Sequence, residues 1–124
     1  MDYSKKYDFN DLFVFDMANN HQGDLDHALK IVNEIGKISH KKQIKGVMKF
    51  QFRELDTFIH PKFKTFNGND QIKRFTTTRL EASDFKMLHK ACRKNNLTTM
   101  CTPFDESSVD LIIEMKFDLI KVAS

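Results

Sequence analysis

Apolar residues along the chain fall into two kinds of segment, short continuous runs and longer stretches with helical spacing. The continuous runs have the length of buried strands. They predict strands at residues 12–17, 46–52, 97–102 and 117–123.

Between these runs, apolar residues recur every three or four positions, which predicts amphipathic helices. The predicted helices cover about 24–39, about 81–96, and a segment from Asp105 to about Lys116. Their apolar stripes are Leu25, Ala28, Leu29, Val32 and Ile35, then Ala82, Phe85, Leu88 and Cys92, then Val109 and Ile112. Strands that alternate with helices predict an α/β fold with a parallel sheet.

Polar side chains cluster at the carboxyl ends of the predicted strands. In the second strand, Met48, Phe50 and Phe52 share one face, whereas Lys49 and Gln51 share the other. The apolar face suits contact with helices, and the polar face suits the interior of a barrel. The other strands end on Asp16, Thr102, Lys121 and Ser124. Active sites of barrel enzymes form at these ends, and two lysines with hydroxyls favour a phosphorylated or carboxylated substrate.

The chain has 124 residues, which predicts one domain. A complete (β/α)8 barrel needs about 250 residues, so four strands predict its N-terminal half, about four β/α units of a TIM-type barrel. The chain is expected to be a partial barrel over residues 1–124. No glycine-rich phosphate-binding motif follows the first strand, which disfavours dinucleotide-binding and P-loop folds.

Composition narrows the function classes further. The net charge of +3 is too small to indicate a nucleic-acid partner. No apolar run approaches the roughly 20 residues of a membrane span, and residues 1–10 lack the apolar core of a signal peptide. We therefore expect a cytoplasmic protein without a membrane partner. Cys92 and Cys101 have no metal-binding or redox spacing and are interpreted as small buried hydrophobic residues.

The connection over residues 53–80 is unusually long, about 28 residues. It is basic, since residues 60–79 contain five Lys and Arg side chains against Asp70 alone. Two interpretations stay open: a solvated basic loop with a plain turn at 68–70, or a wall and lid over the barrel mouth that attracts a small anion.

Four segments of the chain resemble the N-acetylneuraminate (sialic acid) synthase family. Residues 16–23, Asp-Met-Ala-Asn-Asn-His-Gln-Gly, are similar to the family's Glu-Ile-Gly-x-Asn-His-x-Gly. Residues 48–51, Met-Lys-Phe-Gln, are similar to its Val-Lys-Phe-Gln, and residues 101–105, Cys-Thr-Pro-Phe-Asp, to its Ser-Thr-Pro-Phe-Asp. Residues 121–124, Lys-Val-Ala-Ser, are similar to its Lys-Ile-Ala-Ser, and the order of all four segments agrees. Asp16 replaces the family's Glu, and Ala18 replaces its Gly.

The resemblance implies condensation of phosphoenolpyruvate with an N-acetylated aldose, which gives a nine-carbon 2-keto sugar acid and phosphate. It implies that Lys49, Thr102, Lys121 and Ser124 bind phosphoenolpyruvate and that Asp16 is catalytic. Asn20, His21 and Gln51 would line the substrate pocket.

The resemblance also implies groups that this chain does not supply. A divalent metal ion, Mn²⁺ or Mg²⁺, is expected in the full-length enzyme, with histidine ligands from later strands and none in this chain. A C-terminal antifreeze-like domain and a homodimer are expected there as well, and this chain alone is expected to be inactive. Two alternatives remain: a related phosphoenolpyruvate-dependent aldolase-type synthase, or a non-catalytic half-barrel remnant that acts as a binding module.

Overall fold

A computed structural model describes residues 6–65 and 68–124 of the chain; Met1–Lys5, Phe66 and Asn67 lie outside the described residues. The described residues form one parallel sheet in which neighbouring strands are consecutive in sequence, in the order β1-β2-β3-β4. The predicted α/β fold with a parallel sheet is therefore confirmed. The strands are β1 (Leu12–Asp16), β2 (Lys45–Phe52), β3 (Thr98–Pro103) and β4 (Leu119–Ile120).

Three long helices connect the strands, close to the predicted positions. Each begins at an acidic residue whose carboxylate accepts from free amides of the first turn: Asp24 from His27, Asp105 from Ser108, and Glu81 in a reciprocal pair with Asp84. Two shorter helices and a 3₁₀ turn lie between β2 and the second long helix. The helices are α1 (Leu25–Lys42), α2 (Leu55–Phe58), α3 (Asp70–Thr77), α4 (Ala82–Lys94) and α5 (Glu106–Glu114), with the 3₁₀ turn at Pro61–Phe63.

The core lies between the sheet and the helices and is rich in phenylalanine. Phe50 and Phe52 of β2 pack on Phe85 of α4, with ring centroids 6.2 and 4.4 Å apart. Phe117 meets Phe50 edge to face at 6.1 Å. Met48 is also buried, so the apolar face predicted for β2 does face the helices. The polar face of the same strand is thereby left on the other side of the sheet.

Several details of the predicted elements are wrong. Phe13 and Val14 of β1 are 51% and 47% exposed, because β1 is an edge strand whose outer side has no partner among the described residues. β4 contains only two residues in place of the seven predicted. Ala82 is exposed at the first position of α4, and Val109 is half-buried.

The connection between β2 and α4 is not a plain loop, which is one of the two interpretations that the sequence leaves open. It contains α2, the 3₁₀ turn and α3, and Asn69 is the N-cap of α3 rather than part of a free turn. The side chain of Asn69 accepts from the amides of Gln71 and Ile72 at 2.9 and 3.3 Å. Sequence periodicity missed these helices because each is short and mostly exposed.

No helix in the described part of the chain is both long enough and apolar enough to cross a membrane.

Candidate functional site

The carboxyl edge of the sheet contains a close ion pair between neighbouring strands. Asp16 is the register partner of Lys49, and the Lys49 Nζ lies 2.8 Å from the Asp16 Oδ2. The Lys49 side chain is only 18% exposed, so its charge needs a partner. The Asp16 side chain, 45% exposed, supplies this partner while facing solvent. A carboxylate and an ammonium group thus meet at the position where sequence reasoning placed both.

At the same edge, β2 and β3 place a side-chain amide beside a side-chain hydroxyl. Gln51 of β2 is in register with Thr102 of β3. Thr102 is buried and Gln51 is half-buried. The Gln51 Oε1 accepts from the Arg53 Nη2 at 3.1 Å, which leaves the Gln51 amide group free to donate elsewhere.

Lys121 and Ser124 follow β4 at the same edge of the sheet. The Lys121 backbone amide donates to the Cys101 carbonyl at 3.0 Å, which holds this segment against β3. Both side chains are exposed, and neither forms an ion pair or side-chain hydrogen bond with the residues that the structure describes. The structure therefore places Lys121 at the predicted edge of the sheet, but its side chain forms no hydrogen bond or ion pair with the Asp16–Lys49 pair in the described part of the chain.

The turn after β1 brings two further predicted residues to this edge. The Asn20 Nδ2 donates to the Asp16 carbonyl at 3.4 Å. His21 is 4% exposed, and its Nδ1 accepts from the Gly23 amide at 3.0 Å. Burial, and to a lesser extent nearby His27, lowers the pKa of His21. The imidazole is therefore neutral near pH 7, with its proton on Nε2.

A small cavity of about 40 Å³ lies between this turn and the connection. This volume exceeds the roughly 10–15 Å³ needed for one ordered water. Its walls combine polar residues from the strand ends with residues of the connection. The lining residues are Asn19, His21, Gln51, Arg53, Leu55, Phe75, Thr78, Arg79, Leu80 and Phe85.

Arg53 is the residue at this cavity that sequence reasoning missed. Its guanidinium carbon lies 3.8 Å from the ring centroid of Phe104 and 4.4 Å from that of Phe75, so two aromatic rings flank the charge. Burial chiefly, together with the charge of Arg74, lowers the pKa of Arg53, and Asp105 acts in the opposite direction. Arg53 follows Gln51 by two positions, and this alternation could have placed both on the polar face.

The described residues do not include a group of three or more His, Cys, Asp or Glu side chains able to hold a metal ion. Cys92 and Cys101 are buried, as predicted, and burial raises the pKa of each thiol to about 12. Neither cysteine can supply a thiolate near pH 7.

This chain is similar to several known proteins. The sequence model of the NeuB family matches residues 39–124. The N,N'-diacetyllegionaminic acid synthase of Campylobacter jejuni is 30% identical over 91% of this chain and 35% of its own length.

Among solved structures, a protein described as spore coat polysaccharide biosynthesis protein E from Chromobacterium violaceum is 40% identical, with a TM-score of 0.86. The alignment covers 91% of this chain and 34% of that one. The N-acetylneuraminic acid (sialic acid) synthetase of Leptospira borgpetersenii shares the fold at 20% identity and a TM-score of 0.69, over 90% of this chain and 35% of its own. The chain thus spans about a third of the length of these relatives. Because the family match covers well over half of the residues and includes three of the four strands, this chain belongs to the NeuB family.

Proposed function

We propose that this chain forms the first four β/α units of a (β/α)8 barrel in a nonulosonic acid synthase. Its strands lie side by side in sequence order, as successive strands of such a barrel do. The legionaminic acid synthase of Campylobacter jejuni and the 40% identical structure support this proposal. Since the chain covers about a third of each relative, the remaining strands would come from further polypeptide.

The proposed reaction joins phosphoenolpyruvate to an N-acetylated aldose. C3 of phosphoenolpyruvate attacks the aldehyde carbon, which forms the new C–C bond and leaves positive charge at C2. Water adds to C2 and loses a proton, and the aldehyde oxygen, an alkoxide after the attack, takes up a proton. The tetrahedral intermediate then loses the proton of its C2 hydroxyl and expels phosphate by C–O cleavage, which leaves the 2-keto group. The products are a nine-carbon 2-keto sugar acid and inorganic phosphate.

The Asp16–Lys49 ion pair is the observation that carries this proposal. An ammonium group that is 18% exposed at the carboxyl end of a strand is suited to bind a carboxylate or phosphate. When substrate takes the place of Asp16 at Lys49, the carboxylate becomes free to act on the aldehyde or the attacking water. The resting ion pair would thus couple anion binding to release of the catalytic group.

The other predicted residues complete this assignment. Lys121, Ser124 and the buried Thr102 would bind the remaining oxygens of phosphoenolpyruvate. Gln51 would hydrogen-bond to substrate at the base of the pocket through its free amide group. Asn20 and His21 would shape the mouth, since both belong to the turn that follows Asp16.

A divalent metal ion, Mn²⁺ or Mg²⁺, would act as a Lewis acid on the aldehyde oxygen. The donor set of the described residues does not fit a complete metal site. The ligands would therefore come from later strands of the same barrel, in a homodimeric full-length enzyme.

Phosphate release in the full-length protein tests the proposal. Phosphoenolpyruvate with one of several N-acetylated aldoses should release phosphate only when both substrates are present. Lys49→Met and Lys121→Met should each weaken phosphoenolpyruvate binding about ten- to a hundredfold, because each loses a charge-assisted contact worth roughly 1.5–3 kcal/mol. Lys45→Met is the matched control, since Lys45 begins the same strand and pairs with Asp8. Normal binding by either test variant would refute the role of that lysine.

Asp16 variants separate binding from turnover. Asp16→Asn should lower turnover much more than phosphoenolpyruvate affinity, because the amide cannot accept a proton. Asp16→Glu should retain activity and change the rate or the preferred aldose, because the side chain is one methylene longer. Unchanged turnover in Asp16→Asn would exclude a catalytic role for this carboxylate.

A further inference from the structure

The cavity beside Arg53 has a binding chemistry of its own. Lys49, Thr102 and Lys121 do not line it, whereas Arg53, His21 and Gln51 do. These last three residues come from different parts of the polar edge: the end of β2 and the turn after β1. The cavity is therefore adjacent to the proposed phosphoenolpyruvate site and distinct from it in composition.

Arg53 has a hydrogen-bond donor that is not used. Its Nε is buried and has no hydrogen-bond partner among the described residues. In a guanidinium group, Nε–H and one Nη2–H point in the same direction and form a fork that matches two oxygens. Here Nη2 donates to Gln51, and the other half of the fork is vacant. A buried N–H without an acceptor is costly, which favours an acceptor from a ligand.

Two other side chains that line the cavity, His21 and Gln51, also have donors without a partner among the described residues. The Nδ1 of His21 is engaged by the Gly23 amide, so its Nε2 carries the proton and has no partner in the described part of the chain. The Oε1 of Gln51 is engaged by Arg53, so its Nε2 amide group is the free end. Three side chains thus offer N–H groups, and a ligand that satisfies them must supply oxygen acceptors.

The charge of the site favours an anionic acceptor over a neutral one. Arg79, the second guanidinium at the cavity, pairs with Asp56 at 3.3 Å and Glu81 at 3.0 Å. Asp105 acts on Arg53 electrostatically, but both of its carboxylate oxygens accept from backbone amides, and no described carboxylate forms an ion pair with Arg53. Two aromatic rings flank the Arg53 charge. A partly buried cation without a counterion is stabilised by a bound anion.

We propose that Arg53, His21 and Gln51 form a second oxyanion-binding subsite, which accepts a carboxylate or phosphate group in the cavity between the β1 turn and the connection. One oxygen accepts from the Arg53 Nε–H, and the same group accepts from His21 Nε2–H and the Gln51 amide. The aromatic rings of Phe75 and Phe104 hold the guanidinium plane in place from both sides. The subsite shares His21 and Gln51 with the proposed substrate pocket, and Arg53 is the residue that the synthase proposal does not use.

Nuclear magnetic resonance of the Arg53 side-chain Nε–H group tests the subsite in the full-length protein. The probes are sodium acetate, inorganic phosphate and acetamide, each titrated at constant ionic strength. Acetate and phosphate should each shift the Arg53 Nε–H resonance, and the shift should saturate as the anion concentration rises. The two dissociation constants then show which oxyanion the subsite prefers. Acetamide has nearly the shape of acetate without its charge and should bind at least tenfold more weakly. A non-saturating response to both anions, or equal affinity for acetate and acetamide, would overturn the proposal.

Two variants assign the response to this cavity. Arg53→Lys keeps a positive charge but removes the paired N–H donors of the guanidinium group. The affinity for acetate should therefore fall at least tenfold in this variant, as measured from the resonances of the His21 ring. Lys49→Met removes the proposed phosphoenolpyruvate contact and should leave the Arg53 response to acetate unchanged. Loss of that response in Lys49→Met would assign the anion to the other site and refute the second subsite. The wild-type titrations decide the question even where an Arg53 variant folds poorly.

Discussion

Ala18 has a backbone conformation that ordinary residues seldom adopt. Its φ is 42°, in the left-handed region, directly after the candidate catalytic Asp16. An L-residue with a side chain costs about 1–2 kcal/mol there, whereas glycine adopts the region readily. The Asp16 Oδ1 accepts from the Ala18 amide at 3.2 Å, so this conformation also helps to orient the carboxylate.

Ala18→Gly should therefore leave the free energy of unfolding unchanged or raise it by up to about 1 kcal/mol, because relief of strain exceeds the added entropy of the unfolded chain. Ala82→Gly is the control, since Ala82 is exposed at the start of α4. It should lower the free energy of unfolding by about 0.5–1 kcal/mol. Urea unfolding of both variants measures the difference. A loss in Ala18→Gly as large as in Ala82→Gly would contradict the strain argument.

His21 predicts a pH dependence of stability. Burial lowers the pKa of His21 in the folded protein below its unfolded value. Below about pH 6.5, the unfolded state therefore binds more protons than the folded state does. The contribution of His21 to the free energy of unfolding is fully present above about pH 6.5 and is lost as the pH falls through the pKa of the folded protein. His21→Asn keeps an acceptor for the Gly23 amide and cannot be protonated, so it should lose less stability between pH 7.5 and 5.5.

The control for this prediction is His40→Asn, since the His40 ring is exposed in the last turn of α1 and does not act on His21. His89, whose pKa is also lowered mainly by burial, is present in every variant and cancels in the comparison. Equal loss of stability on acidification in wild type and His21→Asn, measured by urea unfolding at each pH, would show that His21 does not contribute.

Among the elements, the connection from α2 to α3 is linked to the site by contacts that are distant in sequence. Asp105 caps α5 through one carboxylate oxygen, and the other accepts from the Glu54 amide at 2.8 Å. Phe75 of α3 contacts the Arg53 guanidinium. Phe58 of α2 packs edge to face on both Phe75 and Phe104, at 6.2 and 6.5 Å. The connection is therefore a wall of the cavity as well as a link between β2 and α4.

The N-cap of α3 should control how well this wall is formed. Asn69→Ala removes the acceptor for two amides and should destabilise α3 by about 1 kcal/mol. Hydrogen exchange of the α3 amides should become about fivefold faster, because α3 is short and exposed and opens locally. Gln71→Ala, inside the same helix, is the control and should not accelerate exchange. No change in Asn69→Ala would mean that packing of Phe75 alone holds the helix.

The sheet as a whole has two open edges. β1 and β4 are its outer strands, and neither outer side is paired within the described residues. Large apolar side chains are exposed on or beside these strands, including Phe13 at 51%, Val14 at 47%, Ile120 at 50% and Val122 at 82%. Open edges with exposed apolar residues favour association with further strands.

The polypeptide of residues 1–124, expressed by itself, should therefore self-associate. Sedimentation velocity should show dimers or larger species at micromolar concentration. Val14→Lys and Ile120→Lys together should reduce this association, because charged side chains block edge pairing. Met87→Lys, at a site 52% exposed on α4, should not reduce it. A monodisperse monomer that unfolds cooperatively would contradict the prediction.

The sequence alone was sufficient for the fold class and for the composition of the polar edge. Periodicity is a local property, so it located all four strands and the three long helices. The carboxyl ends of parallel strands share one edge, so Asp16, Lys49, Gln51 and Thr102 could be placed there without coordinates. The sequence did not predict the short helices of the connection, because they bury too few apolar side chains to show a periodic pattern.

Tertiary structure alone decided which of these groups touch. The Asp16–Lys49 pair depends on the register between β1 and β2, which no local pattern contains. The position of Arg53 depends on Phe75 and Phe104, which approach it from two separate elements. The exposure of Phe13 depends on β1 being an edge strand, although its sequence is typical of a buried one. Each of these features arises from contacts between residues far apart in the chain, and such contacts form only when the sheet and helices assemble.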